Sequence, residues 1–142
     1  METKTHVDGS PCGLMRRLAI IVYDAAIVIA LLILATGMAM LAGFGERTAM
    51  KDPLFTLYLF AIWFLYIGWF WHKGGMTVGM RAWRVRIENE AGNRPGWGQV
   101  AIRFLTSLVS MAFAGIGFFW SLADSRKRTW HDILSNTRLL RY

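Results

Sequence analysis

Six ionisable residues stand within or beside strongly apolar stretches of this chain: Arg17, Asp24, Arg103, Asp124, His131 and Asp132. In such surroundings a charged group pairs with another, lines a polar path, or takes part in moving an ion or a proton. Asp24 is the most informative of them. It follows Arg17 by seven residues, about two helical turns and roughly 10 Å along a helix axis. If the apolar run around it crosses a bilayer, Arg17 stands at the mouth and Asp24 inside, where an unpaired carboxylate costs on the order of 3 kcal/mol. Two roles fit such a residue, an ion or proton site and a buried pair that fixes helix register. The residues by themselves leave both open.

Other chemistries find less support. Ser107, Ser110 and Ser121 lie in or near an apolar segment, where hydroxyls bond to backbone, and no Gly-x-Ser-x-Gly accompanies them. His6, His72 and His131 have no ligand spacing to one another, and His131-Asp132 is an isolated dipeptide. The single cysteine, Cys12, excludes a disulfide or a thiolate cluster within one chain and reads as an unreactive thiol. Gly115-Ile116-Gly117 runs into Phe-Phe-Trp without a preceding nucleotide-binding strand, so it is no phosphate loop. The net charge of +7 is spread beside the apolar blocks instead of along one face, a pattern that suits anionic lipid better than nucleic acid. The expectation is therefore a protein that is not an enzyme, with no catalytic set, metal or cofactor and no nucleic-acid partner.

The elements that must position these groups are membrane elements. Apolar residues make up 55% of the chain, mean hydropathy is +0.37, and the apolar residues form three blocks separated by basic segments. Residues 1–13 are polar, without periodicity, and are expected to be a short disordered or surface-lying tail. The first span is placed at about 18–43, too long and too polar at Asp24 for a signal peptide. Ala35, Ala39 and Gly43 give it a small-residue stripe for helix packing. A polar loop whose charges cancel, 45–53, is expected outside. The second span, about 54–71, carries nine aromatic residues, with Trp69 and Trp71 as expected interfacial anchors.

The segment 72–103 holds six lysines and arginines against Glu88 and Glu90, which places it and the amino terminus in the cytoplasm by the positive-inside rule. Within it, Trp83, Val85 and Ile87 alternate with Arg84, Arg86 and Glu88, the period of a strand. Residues 89–93 read as a turn, and 136–142 as a partner strand. The third apolar block, 104–123, is long enough to cross once. The basic tail after it resists export, and Gly115 and Gly117 sit where a chain can reverse, so a re-entrant or tightly bent pair of half-helices is favoured over a third span. The expected fold class is an all-α integral membrane protein: two long transmembrane helices, a third re-entrant or bent helical segment, and a small cytoplasmic-side strand pair.

These residues resemble a known family. Arg17 and Asp24 at the first helix match the opening of the RDD family of small membrane proteins, named for one arginine and two aspartates. Gly75-Met76-Thr77-Val78-Gly79-Met80 is similar to its Gly-x-Thr-x-Gly-Lys element, Arg103 to an arginine entering the next helix, and His131-Asp132 through Thr137 to its closing His-Asp-x-x-x-x-Thr element. The resemblance runs from about Leu14 to Tyr142 and departs at Met80, where the family has lysine with only Arg81 adjacent here, and at Ser135-Asn136, where it has a small pair. It implies a multi-pass plasma (bacterial inner) membrane protein of a family without a settled function, for which transport of some ligand is suggested and sodium/proton exchange is attributed to some members. Arg17, Asp24, Arg103, His131 and Asp132 would then form an ion-binding or structural ionic network, supported by Thr77, Arg81, Asp124 and Thr137. The partners implied are the lipid bilayer, a monovalent cation or proton, and further copies of the chain or a membrane partner. The alternative is a non-transporting structural or accessory module held together by the same network.

Overall fold

The computed structural model describes residues 9–44 and 51–142. Helix α1 (Leu14–Ala39) continues through a π-helical turn, Met40–Phe44, in which Gly43 takes φ 95°. Together these 31 residues reach about 46 Å at ~1.5 Å per residue, longer than the ~30 Å hydrocarbon core of a bilayer. Its buried residues, Arg17, Ile20, Asp24, Val28 and Ala35, recur at three-, four- and seven-residue intervals and so form one stripe. Helix α2 (Pro53–Trp69) starts where the Asp52 carboxylate accepts from the N–H groups of Leu54 and Phe55 at 3.0 and 3.4 Å. Pro53 opens it at a position where the missing N–H goes unneeded. A π turn, Phe70–Gly74, extends it to Gly75, whose φ of 67° ends the helix.

Both helices are long and apolar enough to cross a membrane. Their outer faces leave Val22, Ile33 and Leu34 of α1 and Leu54 and Leu65 of α2 exposed, side chains that a lipid solvent covers at no cost. The small-residue stripe of α1 is used within the chain at Ala35, which is 2% exposed and whose carbonyl accepts from the Tyr58 hydroxyl of α2 at 3.3 Å. Most of the polar loop expected at 45–53 lies outside the described residues.

After the short helix α3 (Val78–Ala82) and strand β2 (Val85–Asn89), the third apolar block forms α4 (Trp97–Ala112) and α5 (Ile116–Phe119), bent by 108°. The reversal falls at Ala114 (φ 55°) and Gly115 (φ 78°). Gly117 has another task. A Cβ there would stand 2.8 Å from Ser110 Cβ and 2.9 Å from Trp130, so its missing side chain lets α5 lie against α4. A turn at 124–128 and helix α6 (Trp130–Leu134) then return the chain to the beginning of α4.

The chain closes with β3 (Thr137–Arg141), antiparallel to β2 with Ile87 opposite Leu139. The expected strand pair is in fact a three-stranded sheet in the order β1-β3-β2, because β1 (Ser10–Pro11) adds to the free edge of β3, Ser10 opposite Arg141. The fold is accordingly mostly helical, not all-α, and the tail expected over 1–13 is ordered from residue 9. Residues 1–8 lie outside the described residues. Two residues carry no periodicity, and what seats them is backbone pairing, such as Cys12 N–H to the Leu139 carbonyl at 3.2 Å. Trp83 also stands outside the strand, which begins after Arg84 takes φ 52°.

Val85, Ile87 and Leu139 on one face of the sheet join Ile20, Trp71, Met80, Val100 and Phe104 in the main core. Rings of α2 and α4 interlock there: Trp63 and Phe64 each approach Phe104 edge-on at 5.3 Å. Gly68 permits this approach, since a Cβ there would meet Trp97 at 3.0 Å and Val100 at 3.2 Å. Ile87 is 1% exposed, so Ile87→Ala is expected to cost about 2–5 kcal/mol by removing buried methylenes and leaving a void. Equilibrium unfolding of the detergent-solubilised protein measures it.

Candidate functional site

Asp132 in α6 is the most enclosed charge at the sheet end of the helices, with a fully buried side chain. Arg17, near the start of α1, reaches one carboxylate oxygen at 2.8 Å, and Arg103, in the second turn of α4, hydrogen-bonds the other. The Thr129 N–H adds a third donor at 3.0 Å. Both arginines are themselves buried, at 4% and 2% exposure. Arg17 is held further by two backbone carbonyls, Cys12 at 3.2 Å and Lys127 at 2.9 Å. Arg103 donates to the Thr137 hydroxyl at 2.8 Å, and its guanidinium lies 5.2 Å from the centre of the Trp71 ring. Trp71, expected at the membrane border, is 9% exposed and covers this cation, while Trp69 remains exposed with Lys73 over its ring at 5.6 Å. The π turn that contains Trp71 adds a residue to the helical repeat and so sets that ring inward.

Burial alone would push the Asp132 carboxyl up, but the charges of Arg103 and Arg17 hold it well below the usual carboxylate range. His131 experiences the opposite. Burial and the nearby Arg103 charge push its imidazole down to about 3, so it is neutral, packed 4.7 Å from the Phe118 ring. Burial also pushes the Cys12 thiol up, against the pull of Arg17, which keeps it protonated and unreactive at neutral pH.

Asp24 has separate partners. One oxygen accepts the Thr77 hydroxyl and the other the Gly79 N–H at 2.8 Å. Among the described residues no basic side chain pairs with it, and Arg17 is directed to Asp132 instead. The glycine-threonine-glycine element of the sequence thus acquires a physical reading. Gly75 provides the left-handed turn after α2, and Thr77 caps α3 by accepting from Met80 N–H at 3.2 Å while donating to Asp24. Gly79 has no room for a side chain, since a Cβ would stand 2.8 Å from Asp24 Oδ1. Met80, 3% exposed, turns its sulfur to the Thr77 N–H at 3.4 Å and joins the core, and the adjacent Arg81 is exposed.

The two carboxylates differ also in access. A cavity of about 390 Å³ runs between α1, α2 and α4, and Asp24, Thr77, Arg17, Arg103, Ser107 and His131 line it among mostly apolar neighbours. Asp132 stands behind the arginines. Asp124 lies apart: it pairs with Arg128 at 3.1 Å and accepts from the backbone of Arg126 and Arg128, closing the turn that presents the Lys127 carbonyl to Arg17. Sequence reasoning missed Trp71, Ser135 and the carbonyls of Cys12 and Lys127. Ser135 shares the Thr137 hydroxyl at 2.6 Å. A carbonyl leaves no trace in residue identity, and Trp71 resembles any other border tryptophan.

A mostly helical, membrane-type chain with a buried arginine–aspartate–arginine cluster and a second acid within its first long apolar helix is the class of protein these features define. The chain matches the model of the RDD family over residues 11–136 and belongs to that family. No curated protein and no solved structure matches it.

Removing the central charge by Asp132→Asn leaves two buried guanidinium groups without the carboxylate that compensates them, and about 3–5 kcal/mol of stability is expected to be lost, read from chemical unfolding in detergent. Acid has a separate signature. The unfolded chain takes up a proton at His131 near its ordinary value of 6.5 while the folded protein resists until about 3, so stability falls as pH drops through this window. The loss at pH 5 relative to pH 7 is expected to be about 2 kcal/mol, and His131→Gln should remove that part of the slope. The depressed Asp132 carboxyl adds a loss of the same sign only below its ordinary value of 3.8.

Proposed function

We propose that this RDD-family protein is a transport-type membrane protein in which Asp24 carries a proton or a monovalent cation, while the Arg17–Asp132–Arg103 cluster holds the helices around it. One observation carries the reading. Asp24, on an apolar helix, lines a cavity, and among the described residues its partners are neutral donors, the Thr77 hydroxyl and the Gly79 N–H. Neutral donors steady a carboxylate without cancelling its charge, which leaves that charge to a mobile proton or cation.

In this reading α1 and α2 cross the plasma membrane, the inner membrane of a bacterium, and α4 and α5 enter and return. The sheet supports that topology, since it gathers residues 10–11, 85–89 and 137–141 at one end of the helices. Arg103 near the start of α4 pairs with Asp132 beyond the bend, so the chain comes back to the end at which it entered. The basic residues around this end make it cytoplasmic. Two crossings and a re-entrant hairpin enclose little, so transport requires further copies of the chain.

A second reading is favoured by Asp132, whose oxygens are fully engaged by two arginines and a backbone N–H. A non-transporting module could use the whole network to hold its helices. Purified protein in sealed vesicles with an imposed proton, sodium or potassium gradient separates the two. Transport requires wild-type flux that falls at least about tenfold in Asp24→Asn while the melting temperature is kept. Absence of wild-type flux for all three cations, with unfolding of the variant, assigns the network a structural role.

A further inference from the structure

The Asp24 carboxylate is closed on one side by backbone. A Cβ at Gly79 would stand 2.8 Å from Oδ1, 2.9 Å from Cγ and 3.0 Å from Oδ2, so the turn entering α3 lies against both oxygens. That turn presents donors: the Gly79 N–H to Oδ1 and the Thr77 hydroxyl to Oδ2, while the Thr77 oxygen itself takes the Met80 N–H. On the open side lies the cavity, and among the described residues that line it Asp24, Thr77 and Ser107 are those with side-chain oxygen. The Ser107 hydroxyl donates to the Phe104 carbonyl at 2.7 Å. Helix α1 runs unbroken through Asp24, from Leu14 to Ala39, which keeps its carbonyls in helical hydrogen bonds.

We propose that the species Asp24 takes up is a proton and not sodium or potassium, with the Thr77–Gly79 turn steadying the ionised form between uptakes; this rests on Asp24 being the carrier residue and adds what it carries. An alkali cation inside a membrane protein is held by several oxygens, carbonyls of a filter or of an unwound helix, that replace its water. Three side chains, each already hydrogen-bonded, fall short of such a shell. A proton needs none, since it forms a covalent O–H bond with one carboxylate oxygen. Charge offers a metal ion no further hold: with Asp24 ionised, Asp24 and Asp132 balance Arg17 and Arg103. The same neighbours leave a pH response to Asp24 alone. Around it stand Arg17 of α1, Tyr66 of α2, Arg103 of α4, and His131 and Asp132 of α6, while Arg81, the one charged residue of α3, is exposed. Arginine and tyrosine ordinarily release their protons above about pH 9. His131 stays neutral down to about 3, and Asp132 stays ionised below the usual carboxylate range.

Dicyclohexylcarbodiimide, an apolar reagent that adds to a carboxyl group in its protonated form, tests this without a gradient. The full chain in nanodiscs of zwitterionic lipid is treated with it, and labelling of the Asp24 peptide is followed by mass spectrometry. Wild type is expected to be labelled at about pH 6 and at least about tenfold more slowly at about pH 9. Exchanging choline chloride for sodium or potassium chloride is expected to leave both rates unchanged. Protection by either metal ion overturns the choice of the proton and leaves transport through Asp24 standing, whereas absent flux in vesicles overturns transport and leaves these rates as they are. Failure of Asp24 to be labelled at about pH 6 also overturns the proposal. Thr77→Val removes one donor from the ionised form and is expected to speed labelling at about pH 7 some threefold or more, roughly, at unchanged melting temperature, with Thr77→Ser matching the wild type. Equal rates in the valine variant overturn the role given to the turn.

Discussion

A carboxylate enclosed between two guanidinium groups is the constraint on which this protein is built. Asp132 is buried at the meeting point of α1, α4 and α6, segments more than a hundred residues apart at their extremes. Burying three charges costs several kcal/mol per ion, and only close geometry with additional hydrogen bonds offsets it. The cluster meets that demand with donors from Arg17, Arg103 and the Thr129 N–H, carbonyls of Cys12 and Lys127 on the arginine side, and the Trp71 face over Arg103. Each supporting group belongs to a different stretch of chain, so helices, turn and sheet must all be in place together.

The second acid is managed on another principle. Among the described residues Asp24 pairs with no cation; it rests on a hydroxyl and one backbone N–H that the Gly75–Gly79 turn brings beside α1. Glycine, threonine and glycine each answer a different demand there: a left-handed backbone, a hydroxyl that donates and accepts at once, and the absence of a Cβ where a carboxylate oxygen lies. The methionine at position 80 fits because this corner needs a buried apolar side chain with a weak acceptor, which its sulfur supplies to Thr77. One acid is thus paired with two guanidinium groups within the chain while the other borders a cavity.

The helices around these two sites follow from their surroundings. α1 and α2 are apolar on nearly every face, which suits them to lipid, a solvent in which helix association depends on close packing such as that at Ala35 and Gly68 instead of on a hydrophobic drive. The third segment is interrupted at Ala114 and Gly115, and its second limb packs back over Gly117. That reversal returns α6 to the sheet end, the one position from which Asp132 can meet both arginines.

Much of this was legible from residue order. Apolar run length marked the two long helices, the alternation around Val85 and Ile87 marked a strand, and Gly115 marked the bend, because each depends on neighbours within a few positions. The charged residues also announced themselves, since an ion in apolar surroundings demands a partner. Which partner was decided only by tertiary structure. Arg17 is seven residues from Asp24 and 115 from Asp132, yet it pairs with the distant acid, because the α5–α6 return brings that acid to the helix mouth while Thr77 and Gly79 occupy the near one. The same holds for Trp71 and for strand β1, whose roles rest on a π turn and on backbone pairing. Local sequence specifies where a charge needs compensation; the folding of remote backbone, identical in chemistry at every residue, chooses what compensates it.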